Sequence, residues 1–487
     1  MKALMIFILL LTAMPSPAQT RSTADTLHLT LADILMLAKE KSIASRQAGA
    51  RRATKYWEWR SYRANFKPQL FLNGSIPAYS RTYQQVLQPD GSILFQPVFY
   101  NNSTVNISFS QSIAATGGTI FGTTELQRFD NFDTKKAFYN AVPFAIGYTQ
   151  PICQFNGMKW DKRIEPLKYN ESKQAYLEGM EQVSITATQY FFDLLMAQVN
   201  LQIAETNLAN TEKILAIANV KLDIGKISKN EMLQLQLEQL KARKAVGQAR
   251  RDMQIAALNL NSFTGMSDTE VIRLEIPPAG NKVLINVDQV LKEALANRSD
   301  AVAFVRRLME ARRDVEKART SNGLNASLTA RLGFSNSAAT FGKSYQSPKQ
   351  QQMLQIDLTI PILDWGRSKA RIKTAEENQQ LTQYEVEKDK QVFVQQIVTQ
   401  VSLYDMMKDQ LLLTAEADSI ANEKYIIAQE RYVLGNLSIT DLSIAFAEKD
   451  QAKRDYISAL RDFWGAYYQI RFLSLYDFEK NKKIIVP

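Results

Sequence analysis

Apolar residues recur along this chain with two different periods, and the change of period divides it into helical and strand-forming regions. From about Thr30 to Phe66 the spacing is helical, which predicts one helix of about 35 residues. Thr30 followed by Asp33 is typical of a capping box at a helix start. Pro68 is expected to end this helix, because proline lacks the amide that a helix interior requires.

Beyond Pro68 apolar and polar residues alternate, which is the pattern of strands with one apolar face. Segments of about ten residues with this pattern occur in both halves of the chain, and they are long enough for tilted strands to cross a bilayer. Residues 81–103 contain a Pro-Asp-Gly turn and several aromatics, and we predict an exposed loop with an aromatic belt there. The strand residues predicted to face lipid are Leu70, Leu72, Ile107, Phe109, Ile146, Leu328, Ile356 and Leu358.

A very long helical pattern follows these strands, from about Met158 to Ile224. At about 1.5 Å per residue it would span roughly 100 Å, more than a compact domain accommodates. The pattern stops at Gly225, and Ser228 with Glu231 offers a full capping box for the next helix. The sequence therefore predicts a sharp helical hairpin.

The same hairpin recurs about 210 residues later, where a helical pattern stops at Gly435 and restarts at Ser438. The strand-to-helix junction is duplicated as well, since the run from Pro361 to Gly366 corresponds to the run from Pro151 to Gly157. The chain therefore contains an internal duplication. We predict a signal peptide over 1–18, a first repeat over 19–279 and a second repeat over 280–487, the two repeats forming one intertwined domain.

The composition of the chain argues against several kinds of functional site. Cys153 is the only cysteine and His28 the only histidine, which excludes a disulfide framework and a His/Cys metal cluster within one chain. The net charge of +10 is spread along helices that also carry Glu and Asp, and export argues against nucleic acid as a partner. Because no nucleophile elbow, HExxH or Walker motif occurs, we expect no catalytic residue, cofactor or metal.

Apolar runs are too short for a permanent membrane helix. After the signal peptide no stretch approaches 18 uninterrupted apolar residues, so a membrane-embedded form would have to be a barrel. One copy offers too few strands for a barrel with a wide lumen, whereas three copies together would close one.

Helix, strands, very long helix, hairpin and helix, in that order and twice, resemble the TolC family of outer-membrane efflux proteins. The most specific motifs are Arg431-Tyr432-x-x-Gly435 with Asp441, and Pro-Ile-Leu-Asp-Trp-Gly from Pro361. The resemblance implies an α+β membrane protein, a homotrimer whose strands close one outer-membrane β-barrel that continues into a long periplasmic α-helical barrel. It also implies a passive exit duct of a tripartite efflux pump or type I secretion system in a Gram-negative bacterium. Its partners would be a periplasmic adaptor protein, an inner-membrane transporter and outer-membrane lipid.

The resemblance places both hairpins at a closed periplasmic tip that meets the adaptor. The residues expected to form this tip are Gly225, Lys226, Ser228, Gly435, Asn436 and Ser438. Tyr432 and Asp441 are candidates for a latch that hydrogen-bonds to neighbouring helices, and Glu231 matches the equivalent acid of the first repeat. A surface tyrosine and a plain helix cap are the alternative for Tyr432 and Asp441.

The chain departs from the family pattern in three places. The first half has four strand segments where the family has two, so the hairpin from about Thr104 to Leu126 either enlarges the barrel or lies outside the membrane. Leu437 stands where the family often has arginine, and Ile444 where it can carry a second aspartate, so a polar gate and an apolar gate both remain open. A structural periplasmic coiled-coil or adaptor protein is the alternative function, which the long helices alone would allow.

Overall fold

The computed structural model describes residues 26–223, 225, 227–266, 271–278, 284–434 and 436–485. The predicted signal peptide, Lys226 and Gly435 lie outside the described residues. The chain divides into two compact units, each of which draws on both predicted repeats. We call them the helical unit (Met1–Ser45, Val183–Lys282 and Tyr404–Tyr468) and the sheet unit (Arg46–Gln182, Val283–Leu403 and Gln469–Pro487).

Matching helices occur in the two halves of the chain. Each half contains one very long helix of 67 residues followed by one of 36 residues. None of the described helices has a stretch that is long and apolar enough to cross a membrane. The helices are α1 (Leu31–Lys41), α2 (Ile43–Ala64), α3 (Gly157–Asp223), α4 (Lys229–Thr264), α5 (Val287–Asn297), α6 (Ser299–Ser321), α7 (Phe341–Ser344), α8 (Arg367–Val433) and α9 (Ile439–Ser474).

The first predicted helix is wrong in one respect, because it is broken at Ser42. The Ser42 backbone is extended, with φ −62° and ψ 148°, and its hydroxyl accepts a 3.1 Å hydrogen bond from the Ser45 amide. Serine thus ends α1 and satisfies an amide at the start of α2, a role that its short polar side chain favours. The capping box of Thr30 and Asp33 is confirmed. The sequence likewise predicts one helix from about Asp288 to Ala318, and this helix is broken at Arg298.

The main sheet is antiparallel and seven-stranded. Six strands follow one another in the order β2-β4-β5-β6-β8-β9, and β3 lies beside β4. The short pairs β1·β7 and β10·β11 form two further small sheets. The strands are β1 (Thr26–Leu29), β2 (Gln69–Ser75), β3 (Tyr79–Leu87), β4 (Ile93–Ser112), β5 (Thr119–Asn131), β6 (Lys136–Ile152), β7 (Val271–Leu274), β8 (Asn325–Ala338), β9 (Lys349–Thr359), β10 (Tyr476–Asp477) and β11 (Lys482–Lys483).

The prediction of an exposed loop over residues 81–103 is also wrong, since most of this segment forms β3 and the first part of β4. The Pro-Asp-Gly segment makes the tight turn between these strands, where the Asp90 carboxylate accepts a 3.0 Å hydrogen bond from the Ser92 amide. Gly91 has φ +85°, a conformation that glycine adopts without steric cost. The tyrosine, phenylalanine and valine residues of this stretch favour strands, and this preference outweighs the turn signal beyond the turn itself.

All eight residues predicted to face lipid lie on one face of the sheet. Leu72 is opposite Ile107 in the β2·β4 pair, and Leu328 is opposite Ile356 in the β8·β9 pair. The registers through β5 and β6 place these pairs on the same side. On the other face polar side chains meet, as where the Thr149 and Thr329 hydroxyls lie 3.3 Å apart. The predicted separation of an apolar face from a polar face is therefore present, and lipid contact itself stays a prediction.

The helical unit has a core of large side chains that fixes its helices side by side. Phe191, Phe192 and Leu260 are fully or almost fully buried, and the rings of Tyr404 and Phe463 lie 5.5 Å apart. The helical spacing of Ile397, Val401, Tyr404, Leu411 and Ala415 predicts a buried stripe on α8, and the burial of Tyr404 confirms it at that position. A helix of 67 residues is stable only with such neighbours along its length.

Candidate gate at the helical hairpins

The first hairpin joins α3 to α4 through a tight turn. Gly225 has φ +70° and its amide donates a 2.9 Å hydrogen bond to the Leu222 carbonyl, which ends α3. The Ser228 hydroxyl accepts from the Glu231 amide at 3.2 Å, and the Glu231 carboxylate accepts from the Ser228 amide at 2.6 Å. The predicted capping box is confirmed. These bonds hold the pKa of Glu231 below its usual value.

The second hairpin joins α8 to α9 in a similar way. The Asn436 amide donates to the Arg431 carbonyl at 2.9 Å, beyond the last turn of α8. The Ser438 hydroxyl accepts from the Asp441 amide at 3.1 Å and donates to the Asp441 carboxylate at 2.7 Å. Within one copy of the chain Asp441 is therefore a helix cap, which is the plainer of the two roles considered from the sequence.

Tyr432 does not lie on the surface of the second hairpin. It is only 8% exposed and belongs to a cluster with Tyr425 and Leu442, against which the half-buried Leu437 packs. Burial raises the pKa of the Tyr432 hydroxyl, and the negative charge of Glu231 raises it further. The structure thus brings Tyr432 close to the acid of the other hairpin.

The first hairpin has a corresponding apolar cluster, in which leucines stand at the positions of both tyrosines. Leu222 and Leu215 of the first cluster stand 210 positions before Tyr432 and Tyr425 of the second. The two repeats therefore pack alike at these positions, except that two leucines of the first are tyrosines in the second. Ile214 packs against both clusters, so the hairpins share one apolar contact. The two tyrosine hydroxyls are the polar groups that the second repeat adds.

Two hydrogen bonds between the repeats were not foreseen from the sequence. Asn210 donates to the Tyr425 hydroxyl at 3.3 Å, and Asn207 donates to the Asp450 carboxylate at 2.5 Å. Burial raises the pKa of Tyr425, and the charge of Asp450 adds to the effect. The partners are more than 200 residues apart in the chain, and single polar residues on a helix carry no signal of such pairing.

A groove of about 540 Å³ runs along α3, α4 and α9 beside these contacts. Its walls carry Glu231, Leu235, Leu442, Phe446 and Asp450. Among the described residues no group of three or more His, Cys, Asp or Glu could hold a metal ion. The tip residues Gly225, Ser228, Asn436 and Ser438 are all exposed. The site thus combines exposed turns with packed and hydrogen-bonded contacts between the two hairpins. We call these contacts, made by Ile214, Asn210, Tyr425, Tyr432 and Leu437, the seam.

Comparison with known proteins agrees with this architecture. The family model for outer membrane efflux proteins matches residues 35–266 and 290–473. The outer-membrane channel OprN has a TM-score of 0.66 at 14% identity, covering 91% of this chain and 89% of its own. VceC from Vibrio cholerae has a TM-score of 0.62 at 15% identity, covering 91% and 96%. The CmeC channel of Campylobacter jejuni has a TM-score of 0.62 at 15% identity, covering 93% and 88%.

No curated protein sequence matches the chain significantly. At these low identities the solved structures establish the fold alone. The family model covers most of the chain, both long helices and both hairpins included. This protein is therefore a member of the outer membrane efflux protein family, the TolC-like outer membrane factors, which are passive channels and not enzymes.

Proposed function

We propose that the protein is the outer-membrane exit duct of a tripartite efflux pump or type I secretion system and works as a homotrimer. Energy and substrate would come from an inner-membrane transporter, because the chain contributes no catalytic chemistry. The single observation that carries the proposal is the largely apolar, exposed face of the sheet, in a chain that also carries two helices of 67 residues each.

That face supports insertion in lipid. Leu72 is 71% exposed in one copy of the chain, and Leu70, Ile356 and Leu358 are also exposed. Soluble proteins rarely expose so continuous an apolar surface. Trp365, at the junction between β9 and α8, is 90% exposed, and tryptophan is enriched where a barrel meets the membrane surface. Both features fit strands that cross the outer membrane and helices that continue into the periplasm.

The hairpins support a gate and a docking site for an adaptor protein. Their turns are exposed and offer backbone and short polar groups to an adaptor protein, as at Ser228 and Asn436. The seam beneath them can hold the tip closed, because Tyr432, Tyr425 and Leu437 pack between helices of both repeats. An apolar contact at Leu437 and a polar one at Tyr432 both belong to this seam.

Two measurements separate the exit duct from a periplasmic coiled-coil or adaptor protein. An exit duct remains with the membranes after carbonate washing and shows heat-modifiable trimers on gels. Deleting its gene should also raise the sensitivity of cells to a toxic substrate, and the wild-type gene should restore resistance. A protein that washes off with carbonate and migrates as a monomer would contradict the proposal and favour the adaptor.

A further inference from the structure

The strand region of the first repeat is longer than that of the second. The ends of α2 and α6 lie 257 positions apart, whereas the starts of α3 and α8 lie only 210 positions apart. Between these helices the second repeat forms only β8 and β9 as strands, while the first forms β2 to β6. The excess of about 47 residues is enough for one additional hairpin with long strands.

The additional strands belong to the same sheet. β4 and β5 pair continuously from Tyr100 with Asn131 to Ser112 with Thr119. β5 pairs in turn with β6, and β6 with β8. The hairpin near 104–126 is therefore an integral part of the sheet in one copy of the chain. Its apolar residues Ile107 and Phe109 lie on the same face as those of β2 and β9.

The two ends of this sheet are complementary edges. Among the described strands β2 pairs only with β4, and β9 pairs only with β8. The six strands of the path alternate in direction, so β9 runs antiparallel to β2. An even number of strands allows copies to join edge to edge with antiparallel pairing throughout. Closure removes the unpaired backbone groups that an edge would expose to lipid.

We propose that each copy contributes all six strands, so that the trimer closes an eighteen-stranded barrel by pairing β9 of one copy with β2 of the next. This inference rests on the trimeric channel proposed above. With strands about 4.8 Å apart and tilted by about 40°, eighteen strands enclose a backbone cylinder about 36 Å across, against about 24 Å for twelve. The duct then ends in a wide aqueous pore, and the restriction on cargo lies at the helical tip.

The geometry of such a barrel also fixes the register of the new contact. One row of paired residues crosses the whole sheet: Phe71, Ser108, Thr123, Ala145, Gly333 and Gln351. At tilts of about 35° to 45°, eighteen strands need a total shear of about 18 to 26 residues. Threefold symmetry divides this into about six or eight residues per copy, since an even shift keeps the polar face continuous.

A shift of six or eight places Phe71 opposite Asp357 or Thr359 of the neighbouring copy. Asn73 then lies opposite Gln355 or Asp357, so that polar residues meet on the polar face. The opposite shift would place Phe71 against residues 343–345, which lie outside β9. The chosen shift also brings the start of β2, just after Pro68, level with the end of β9, just before Pro361.

Disulfide trapping tests this contact in the full-length protein. In a Cys153→Ser background, Asn73→Cys is combined with Gln355→Cys or with Asp357→Cys, and the membranes are oxidised. The inference predicts covalent trimers on non-reducing gels for at least one pair, because facing strands bring the two Cα atoms within disulfide range. The reduced samples run as monomers after boiling.

The matched control places the first cysteine on β5 instead, as Thr123→Cys with the same β9 positions. β5 runs in the same direction as β2 and would form the edge of a twelve-stranded barrel if the strands before it left the membrane. Covalent trimers from Thr123→Cys, or native trimers without any disulfide to Asn73→Cys, overturn the strand count and leave the trimeric channel standing. Monomers that carbonate removes from the membrane overturn both proposals.

Discussion

Asn210 on α3 donates a 3.3 Å hydrogen bond to the hydroxyl of Tyr425 on α8, and this bond joins the two repeats close to their hairpins. The ring of Tyr425 also packs against Phe446 of α9, with centroids 4.6 Å apart. The position equivalent to Tyr425 in the first repeat is Leu215, which offers no hydroxyl. The second repeat thus accepts a hydrogen bond from the first at a position where its own counterpart in the first repeat, Leu215, makes only apolar contacts.

Replacing Tyr425 by phenylalanine should loosen the tip. The ring is kept and the hydrogen bond is lost, at a cost of about 0.5 to 1.5 kcal/mol in each copy. We expect a higher single-channel conductance of Tyr425→Phe in planar bilayers. Tyr456→Phe is the control, because it removes a hydroxyl from α9 of the same unit without touching Asn210. Equal conductance of Tyr425→Phe and the control would exclude a role for this bond in closure.

A polar gate and an apolar gate predict different effects of substitutions at the tip. If Tyr432 and Asp441 latch the tip, Tyr432→Phe combined with Asp441→Ala should raise conductance and admit bulky antibiotics to cells. Leu437→Ala removes the half-buried contact with the Tyr432 cluster, worth about 1 kcal/mol. Ile227→Ala is its matched control, since Ile227 packs at the equivalent place in the first hairpin. An unchanged double variant beside a leaky Leu437→Ala would assign closure to the apolar contact.

Acid should weaken the first hairpin. Hydrogen bonds from Ser228 lower the pKa of Glu231 in the folded hairpin relative to the unfolded value near 4.5. The carboxylate therefore contributes stability above that value, and the contribution is lost as the pH falls through the lower, folded pKa. We expect faster hydrogen exchange at the start of α4 below about pH 4. Glu231→Gln cannot lose a charge, so the same change in that variant would mean that another group is responsible.

A charge on the apolar face of the sheet should impair assembly. Leu72→Arg or Leu328→Arg places a guanidinium in lipid, which costs about 2 to 4 kcal/mol near the middle of the bilayer. We expect fewer heat-resistant trimers in outer-membrane fractions. Asn73→Arg and Thr329→Arg are the controls on the polar face and should be milder. Equal loss on both faces would show that the apolar face does not meet lipid.

The order of the elements could be predicted because it depends on local patterns. The period of the apolar residues identifies the strands and the long helices, and the capping box at Ser228 marks the start of α4 within a residue. The breaks at Ser42 and Arg298 were missed, since apolar periodicity continues across them. β3 was missed because a true turn at Asp90 made its surroundings resemble a loop.

The composition of the seam could not be predicted in the same way. The resemblance to the TolC family pairs Tyr432 with Asp441, but Asp441 bonds to Ser438 and Tyr432 lies near Glu231. Which residues of distant helices meet depends on how α3 and α8 are aligned, and this alignment follows from side-chain packing over their length. The bonds of Asn210 and Asn207 depend on the same alignment.

Ion conduction by the purified protein tests the central claim most directly. Detergent-extracted trimers added to a planar lipid bilayer should produce discrete conductance steps without nucleotide or any other cofactor, and Tyr425→Phe should make the steps larger. A preparation that stays monomeric under crosslinking and adds no conductance to the bilayer would contradict the account of this chain as a passive outer-membrane duct.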